Sequence, residues 1–384
     1  MKKSNNKPEL RFLGNTDEWE QCKLENICEY KSSALTAKDV DVDGKYDLYD
    51  ANSLIGTTNK GFMDEDYITI IKDGAGVGRT RILPKNSMFL GTMGALTSKN
   101  SDLEFLYQLI TKADLGKTYT GSTIPHIYFK DYGKNVYYVP CIEEQVKIGA
   151  YFERIDNLIT LHQCKYDKLK NIKKSMLQKM FPQSGSLFPE FRFEGFTDAW
   201  EQRKVGDILS DVERPIVMQD DETYQLVTVK RRNEGIVSRG YFKGKDILVK
   251  NYYRIHEGDF LISKRQVIHG ANGYVPISLD NAVVSNEYMV AVSNEDISSA
   301  FWTLMSQRKE MYQMYLFSSY GVDVEKMVFN VDDWKKRNVI IPKIEEQAVL
   351  VSFFSKLDDL ITLHQRKIEK LINIKKACLD KMFV

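Results

Sequence analysis

Basic and amide side chains cluster in three glycine-containing segments of this sequence: IIKDGAGVGRTR, VKRRNEG and ISKRQVIHGANG. Arginine and lysine bind guanine edges and phosphates, asparagine and glutamine bind adenine, and glycine lets the backbone approach a phosphate closely. Each segment alone would suit an ordinary surface loop, but their occurrence together favours binding to double-stranded DNA. The candidate DNA-binding residues are Lys72, Arg79, Thr80, Arg81, Lys230, Arg231, Arg232, Asn233, Lys264, Arg265, Gln266, His269 and Asn272.

The third of these segments follows an apolar run, which is the placement that a base-reading hairpin needs. We therefore expect Arg265 to read a base, with Gln266 beside it. Lys230, Arg231 and Arg232 form a run of like charge, which is more typical of contacts to phosphates.

No segment of the sequence predicts a catalytic, cofactor or metal site. GAGVG does not match GxGxxG and is followed by RTRILP, so it predicts the tip of a β-hairpin and not a dinucleotide-binding turn. The P-loop, HExxH and GxSxG patterns and the Asn-Pro-Pro-aromatic sequence of amino-methyltransferases are absent from the sequence. We expect any chemistry to come from another chain.

The overall composition says more about where the protein is located than about what it binds. The formal net charge of +1 over 384 residues neither favours nor excludes a nucleic-acid partner. No apolar run is long enough to span a membrane, and the opening MKKSNNKPEL has no apolar segment behind its lysines. The sequence therefore predicts a cytoplasmic protein.

The basic segments lie in two regions, 28–138 and 209–340, that predict sheets with short helices. Apolar, β-branched or aromatic runs between turn residues predict strands at 67–72, 133–139, 224–230, 259–264 and 282–292. Helical periodicity predicts helices at 102–113 and 298–315. Each region is expected to be an α+β domain.

These two regions, called inserts below, are framed by an internal repeat. Residues 140–181 recur as 342–383, an offset of 202 residues, and residues 8–27 recur as 189–208, an offset of 181. The difference makes the second insert 21 residues longer, so one scaffold carries two unlike surfaces. The five cysteines form no CxxC pair and none recurs in both copies, so we expect reduced thiols.

The longer repeat predicts a helix with apolar residues at alternating three- and four-residue steps, as in a coiled coil. The two copies are expected to pair antiparallel, with His162 and His364 at the same seam position setting the register. Leu158 and Leu360 widen the apolar face, and their replacement by aspartate is expected to disrupt the helix pair. Residues 165–179 contain six lysines, for which a solvated face is the simplest interpretation and contact with a nucleic-acid backbone or an acidic partner is the alternative.

The doubled pattern resembles the specificity subunits of type I restriction-modification systems. The resemblance covers nearly the whole chain and depends on PELRF and PEFRF, TDEWEQ and TDAWEQ, and the P-x-IEEQ, LITLHQ and NIKK motifs of both long repeats. It implies two target recognition domains that each read half of a bipartite DNA target, and spacer helices that bind two modification subunits. It also implies adenine methylation with S-adenosylmethionine and ATP- and Mg-dependent cleavage, both by partner subunits. This chain itself is expected to need no cofactor.

The resulting organisation is a pseudo-twofold α+β protein with two globular domains joined by a pair of antiparallel helices. Its expected parts are the first recognition domain with its N-terminal conserved segment (1–139), the first spacer helix (140–181), a linker (182–188), the second recognition domain (189–341) and the second spacer helix (342–384). Three alternatives stay open: a recognition subunit of a methylation-only system, an adaptor that binds no nucleic acid, and an enzyme that acts alone on DNA.

Overall fold

The computed structural model describes residues 6–74, 76–119, 125–183 and 185–384. The chain forms two compact units, and each combines one insert with parts of both long helices. Unit 1 contains the described residues up to Lys165 together with His364–Val384, and unit 2 is Tyr166–Leu363. No helix in these described ranges is long and apolar enough to cross a membrane.

Unit 1 has a four-stranded sheet in the order β2-β8-β5-β6, a three-stranded sheet in the order β4-β3-β7, and the antiparallel pair β1-β9. Its strands are β1 (Glu20–Lys23), β2 (Cys28–Ser32), β3 (Tyr46–Tyr49), β4 (Leu54–Thr58), β5 (Tyr67–Ile71), β6 (Thr80–Leu83), β7 (Ser87–Phe89), β8 (Met93–Ser98) and β9 (Val136–Val139). Its helices are α1 (Leu24–Ile27), α2 (Leu103–Ala113), α3 (Phe129–Tyr132), the first part of α4 (Ile142–Lys179) and the last part of α9 (Ile344–Met382).

Unit 2 has sheets in the orders β11-β19-β16-β17 and β12-β15-β18-β13-β14, and the pairs β10-β22 and β20-β21. Its strands are β10 (Glu201–Lys204), β11 (Leu209–Asp211), β12 (Pro215–Ile216), β13 (Thr223–Val229), β14 (Ile236–Lys243), β15 (Tyr252–Arg254), β16 (Phe260–Ser263), β17 (Asn272–Tyr274), β18 (Val283–Ser285), β19 (Tyr288–Ser293), β20 (Ser319–Tyr320), β21 (Val328–Phe329) and β22 (Asn338–Ile341). Its helices are α5 (Val205–Ile208), α6 (Ser299–Met305), α7 (Lys309–Phe317), α8 (Val331–Lys335), the last part of α4 and the first part of α9 (Ile344–Met382).

The predicted strands and helices of the inserts are confirmed, except that two of them are divided. The predicted strand at 282–292 turns at Asn286 and Glu287, so β18 joins one sheet and β19 the other. The predicted helix at 298–315 ends at Met305 and restarts at Lys309. The Ser306 hydroxyl bonds the Trp302 carbonyl at 2.9 Å and the Tyr315 hydroxyl at 3.0 Å, and this tertiary contact fixes the turn between α6 and α7.

Each unit has its own aromatic core, and the two cores use the same positions of the repeat. In unit 1, Phe383 from the end of α9 lies 6.1 Å from Trp19 and 5.4 Å from Phe105, measured between ring centroids. In unit 2, Phe181 from just beyond α4 lies 5.6 Å from Trp200 and 5.9 Å from Phe301. The end of each long repeat is therefore buried in the core beside the other insert, which burial of large aromatic rings stabilises strongly.

The two long helices run antiparallel within each unit, as predicted. In unit 1, Asp156 of α4 bonds Lys375 of α9 at 2.7 Å, and the Nδ1 atoms of His162 and His364 lie 2.9 Å apart. Residue numbers on α9 therefore decrease along the contact as those on α4 increase, which is the antiparallel arrangement. In unit 2, Lys173 of α4 bonds Asp358 of α9 at 2.7 Å with the same polarity.

The structure contradicts the expectation that aspartate in place of Leu158 or Leu360 would bury an unpaired charge. Each of these side chains is 44% exposed, and Leu161 and Leu363 are 47% and 45% exposed. Aspartate at these positions would remain in water, so no buried, unpaired charge would follow. Apolar periodicity correctly placed these leucines on an apolar face wider than the seam, but it could not show that this part of the face is open to solvent.

Candidate nucleic-acid interface

Four of the candidate residues of the second insert line one groove of unit 2, called the loop groove. Its volume is about 580 Å³, and it lies between the β13–β14 turn, the β16–β17 connection and the turn between α6 and α7. The candidate residues that line it are Arg231, Arg232, Asn233 and His269. Three segments that are distant in sequence thus place basic and amide groups around one open groove.

The β13–β14 turn has a strained backbone that the neighbouring loop holds in place. Arg232 and Asn233 have φ angles of +62° and +56°, in the left-handed region that non-glycine residues seldom adopt. Their backbone N–H groups donate to the carbonyls of His269 at 2.7 Å and Gly270 at 2.9 Å. A Cβ atom on Gly270 would lie 2.9 Å from the Asn233 nitrogen, so glycine is needed for this approach.

The turn between α6 and α7 adds a cation that the sequence patterns did not identify. The Arg308 guanidinium lies 4.7 Å from the centre of the Phe181 ring, donates to the Pro182 carbonyl at 3.2 Å and pairs with Glu310 at 3.2 Å. Burial lowers the pKa of Arg308, but an arginine remains charged at neutral pH. The clue in the sequence was weak, because Arg308 and Lys309 stand inside a segment with a helical pattern.

A carboxylate lies against the basic side of the loop groove. Glu325 pairs with Arg231 at 3.3 Å and lies 3.4 Å from His269 Nε2, and Arg231 also donates to Gln266 Oε1 at 3.4 Å. Within the described residues, Asn233 Oδ1 is buried without a hydrogen-bond partner. The groove therefore offers charged donors, which bind phosphates and the acceptor atoms of base edges.

The remaining candidates of the second insert do not line this groove. Lys264 donates to the Asn286 carbonyl at 3.0 Å, and Arg265 pairs with Glu287 at 2.8 Å while its side chain stays 67% exposed. Lys230 is exposed and lies 4.0 Å from Glu234. Asn272 is only 1% exposed, in β17, so a direct contact with DNA would require movement of that strand.

The first insert presents a smaller pocket of about 220 Å³ that Arg79, Thr80 and Arg81 help to line. As predicted, the glycine-rich segment connects the antiparallel strands β5 and β6, although its Ala75 lies outside the described residues. Arg79 donates to the Ala51 carbonyl at 2.5 Å, and Arg81 donates to the Asp50 carbonyl at 3.0 Å. These guanidinium groups hold the turn between β3 and β4, whereas Lys72 is half-buried beside the hairpin.

Comparison with known proteins identifies the class to which this architecture belongs. The model of the type I restriction modification DNA specificity domain matches residues 16–171 and residues 197–373. These matches cover most of the chain and repeat in each half, so the protein belongs to the specificity subunits of type I restriction-modification systems. Proteins of this family are not catalytic by themselves.

Two known proteins match nearly the full length of the chain. The specificity subunit of the type I restriction enzyme MjaVIII from Methanocaldococcus jannaschii is 22% identical over 412 positions, which cover 98% of this chain and 95% of the relative. The crystal structure of the type I restriction-modification system S subunit from M. genitalium has a TM-score of 0.69 at 16% identity, covering 98% of this chain and 99% of that one. The second likeness confirms the fold.

Proposed function

We propose that this chain directs a type I restriction-modification complex to a bipartite DNA sequence, with one half read by each insert. The observation that carries the proposal is the loop groove of unit 2, where Arg231, Arg232, Asn233 and His269 converge. The corresponding surface of unit 1 is the β5–β6 hairpin with Arg79 and Arg81. Because the repeated frame is alike and the inserts differ, the two half-sites are expected to differ as well.

The exposed leucines of the long helices support a second part of the proposal, the docking of two modification subunits. Leu158 and Leu161 of α4 occupy the same repeat positions as Leu360 and Leu363 of α9, and all four are 44–47% exposed. Exposed apolar side chains that recur at equivalent positions indicate one kind of partner bound twice. Methylation of adenine with S-adenosylmethionine, and cleavage with ATP and Mg, are assigned to the partner subunits of this cytoplasmic complex.

An insert exchange tests the reading of DNA. Residues 209–340 are replaced by the corresponding insert of a relative with a different target, and the methylated sequences of cells expressing the assembled complex are determined. One half of the recognised sequence should change and the other half should stay the same. A change in both halves would show joint reading, and an unchanged sequence would contradict the proposal. The same exchange in an adaptor that binds no nucleic acid would leave methylation without sequence preference.

A charge substitution tests the docking surface. Leu158→Asp should leave the thermal midpoint of the chain within a few degrees of the original, because the side chain is already half-exposed, and should weaken binding of one modification subunit by at least tenfold. Asn157→Asp adds the same charge at the adjacent exposed position of α4 and serves as the control. Equal binding by both variants would place the docking surface elsewhere.

A further inference from the structure

We propose that the lysine-bearing part of α4 contributes directly to DNA binding, through a second groove that holds phosphates beside the half-site read by unit 2. The inference depends on the proposed function, because it assigns this groove to the same DNA duplex. The groove, called the helix groove, has a volume of about 860 Å³ and lies between α4, the β13–β14 turn and the start of α7.

The charged lining of the helix groove is mainly basic. Its three carboxylates already have basic partners: Asp358 pairs with Lys173 at 2.7 Å, Glu310 with Arg308 at 3.2 Å and Glu234 with Lys230 at 4.0 Å. Four further cations line the groove and have no carboxylate within ion-pair distance among the described residues. These are Lys170, Lys174, Arg232 and Lys309.

An anion that enters this groove would meet cations that are exposed and not already neutralised. The Lys170 ammonium lies 5.1 Å from the centre of the Tyr166 ring, which leaves its three N–H donors available to a ligand. Lys174, Lys309 and Arg232 are exposed. Because a phosphodiester backbone presents regularly spaced single negative charges, several separate cations fit it better than one deep anion pocket does.

The helix groove is continuous with the loop groove. Arg232, Asn233, Gln307, Arg308 and Lys309 line both, so one ligand can occupy the two grooves without a gap. A duplex whose base edges face the loop groove would thus carry its backbone along the lysines of α4. This continuity favours DNA over an acidic face of a partner protein, for which no contact with the reading loops is needed.

Of the two α4 lysines that line the helix groove without a carboxylate partner among the described residues, one is specific to α4 and the other recurs in α9. At the repeat offset, Lys170 corresponds to Ile372 and Tyr166 to Ile368, whereas Lys174 corresponds to Lys376. Asp380 of α9 stands where α4 has the neutral Gln178, whereas Glu369 corresponds to the acidic Asp167. Two exposed lysines of α9, Lys370 and Lys376, serve as the control pair, and at the repeat offset they correspond to Lys168 and Lys174.

The test compares two double variants in the assembled methyltransferase, Lys170→Ala with Lys174→Ala, and Lys370→Ala with Lys376→Ala. Affinity for a cognate and a random duplex is measured as a function of salt concentration. The α4 variant should bind both duplexes roughly tenfold more weakly at 0.15 M salt, and the slope of log K against log salt should decrease by about 1 to 2. The α9 variant should match the unmodified complex.

A second arm locates the phosphates. Neutral methylphosphonates replace single phosphates on each side of the half-site read by unit 2. The unmodified complex should lose affinity at one or two of these positions, and the α4 variant should be insensitive there because its contacts are already absent. Salt slopes and methylphosphonate profiles that are equal for the α4 variant and the unmodified complex would overturn the inference.

Two other outcomes are distinguishable. If the α4 variant fails to retain its modification subunits while the salt slope of intact complexes is unchanged, the groove binds a protein, and the inference is wrong. If the unmodified complex prefers no sequence at all, the proposed function fails. If the unmodified complex prefers its target sequence but the α4 variant has an unchanged salt slope, only the proposed role of the helix groove in binding phosphates would be refuted.

Discussion

The two units use the same frame with different residues at one contact between the insert and the long helix. In unit 1, Gln145 accepts a hydrogen bond from the Asp102 backbone at 3.0 Å, and in unit 2, Gln347 accepts one from the Ser298 backbone at 3.0 Å. Asp102 caps α2 and Ser298 caps α6. The position two residues after the cap is Glu104 in unit 1 and Ala300 in unit 2, so a carboxylate replaces a methyl group.

The opposite side of this contact changes in the complementary direction. Gly149 of α4 corresponds to Val351 of α9 at the repeat offset. A Cβ atom on Gly149 would lie 2.2 Å from Asp102 Oδ1 and 2.9 Å from Glu104 Cβ, whereas Val351 packs against the core of unit 2. The repeat therefore keeps the hydrogen bond between the glutamine and the cap residue in both units. The larger side chain lies on the insert in unit 1 and on the long helix in unit 2, so the same repeated helix can pack against unlike inserts.

We expect the largest loss of stability from breaking a buried ion pair, which occurs at equivalent positions in each unit. Arg11 bonds Glu144 through two nitrogens at 2.9 and 2.6 Å, and Arg192 bonds Glu346 at 2.8 and 2.7 Å, with the two carboxylates almost fully buried. Arg11→Ala and Arg192→Ala should each lower the free energy of unfolding by about 3 to 5 kcal/mol, because each leaves a buried carboxylate without a partner. Urea unfolding measures both.

The control removes the charge on both sides of the pair. Arg11→Met with Glu144→Leu should recover most of the lost stability, because it buries apolar groups and no unpaired charge. If Arg11→Ala and Arg192→Ala differed by more than about 2 kcal/mol, the two units would not share this contact energetically. If the double variant were as unstable as Arg11→Ala, packing and not charge would explain the loss.

A second prediction tests whether side-chain volume at this contact is limited, by adding volume to the helix in unit 1. Gly149→Val places a side chain where Asp102 and Glu104 already lie, so it should destabilise unit 1 by about 1 to 3 kcal/mol through overpacking. Adding Glu104→Ala, which imitates unit 2, should return part of this loss. Hydrogen exchange resolved by segment is the measurement, and unit 2 should keep its protection. A Gly149→Val protein as stable as the original would show that the observed close approach is not required.

The sequence predicted those features that depend on local pattern and repetition. The long helices, their antiparallel pairing and the α+β inserts follow from periodicity and from two copies of the same segment. The turn at Ser306 did not follow, because it depends on a hydrogen bond to Tyr315 that exists only in the fold. Arg79 was predicted as a DNA-binding candidate from its type and position and stays a prediction, and its bond to the Ala51 carbonyl could not be read from the sequence.

A third prediction concerns the carboxylate that only unit 1 has at this contact. Burial, together with the negative charges of Glu153, Asp102 and Asp156, raises the pKa of Glu104 to about 7, and Lys375 opposes this shift. The folded state therefore binds a proton more tightly than the unfolded state, and stability is lost as pH rises from about 4.5 towards 7. Glu104→Gln should raise the thermal midpoint by roughly 2 to 4 °C at pH 8, after allowance for partial exposure.

The difference between Glu104→Gln and the original protein should shrink as the pH is lowered to 5, where Glu104 is already protonated in the folded state. Thermal unfolding at several pH values measures it. An equal gain at pH 5 and pH 8 would mean that the substitution acts through packing and not through the carboxylate's proton.

We expect the smallest effect on stability from the contact between His162 and His364, which are equivalent residues of the two copies of the repeat. Burial lowers the pKa of His162, and His364, Lys367 and Lys165 lower it further. The Nδ1 atoms of His162 and His364 lie 2.9 Å apart, so one ring donates a hydrogen bond and the other accepts it through a lone pair. Two fully protonated rings have no such lone pair and cannot keep this bond. The folded state resists protonation, and stability is present above pH 6.5 and is lost as the pH falls through the lowered pKa.

His162→Asn combined with His364→Asn should therefore reduce the fall in thermal midpoint between pH 7.5 and pH 5.5 by about 1 to 2 °C, because an amide pair keeps a hydrogen bond without titrating. The quantity to compare is the change with pH and not the midpoint itself, since asparagine alters packing at every pH. The other histidines pair with carboxylates, as His256 does with Asp280 at 3.3 Å, and are present in both proteins, so their contribution cancels. Identical pH dependence in the two proteins would show that the histidine contact sets the register of the helices without sensing protons.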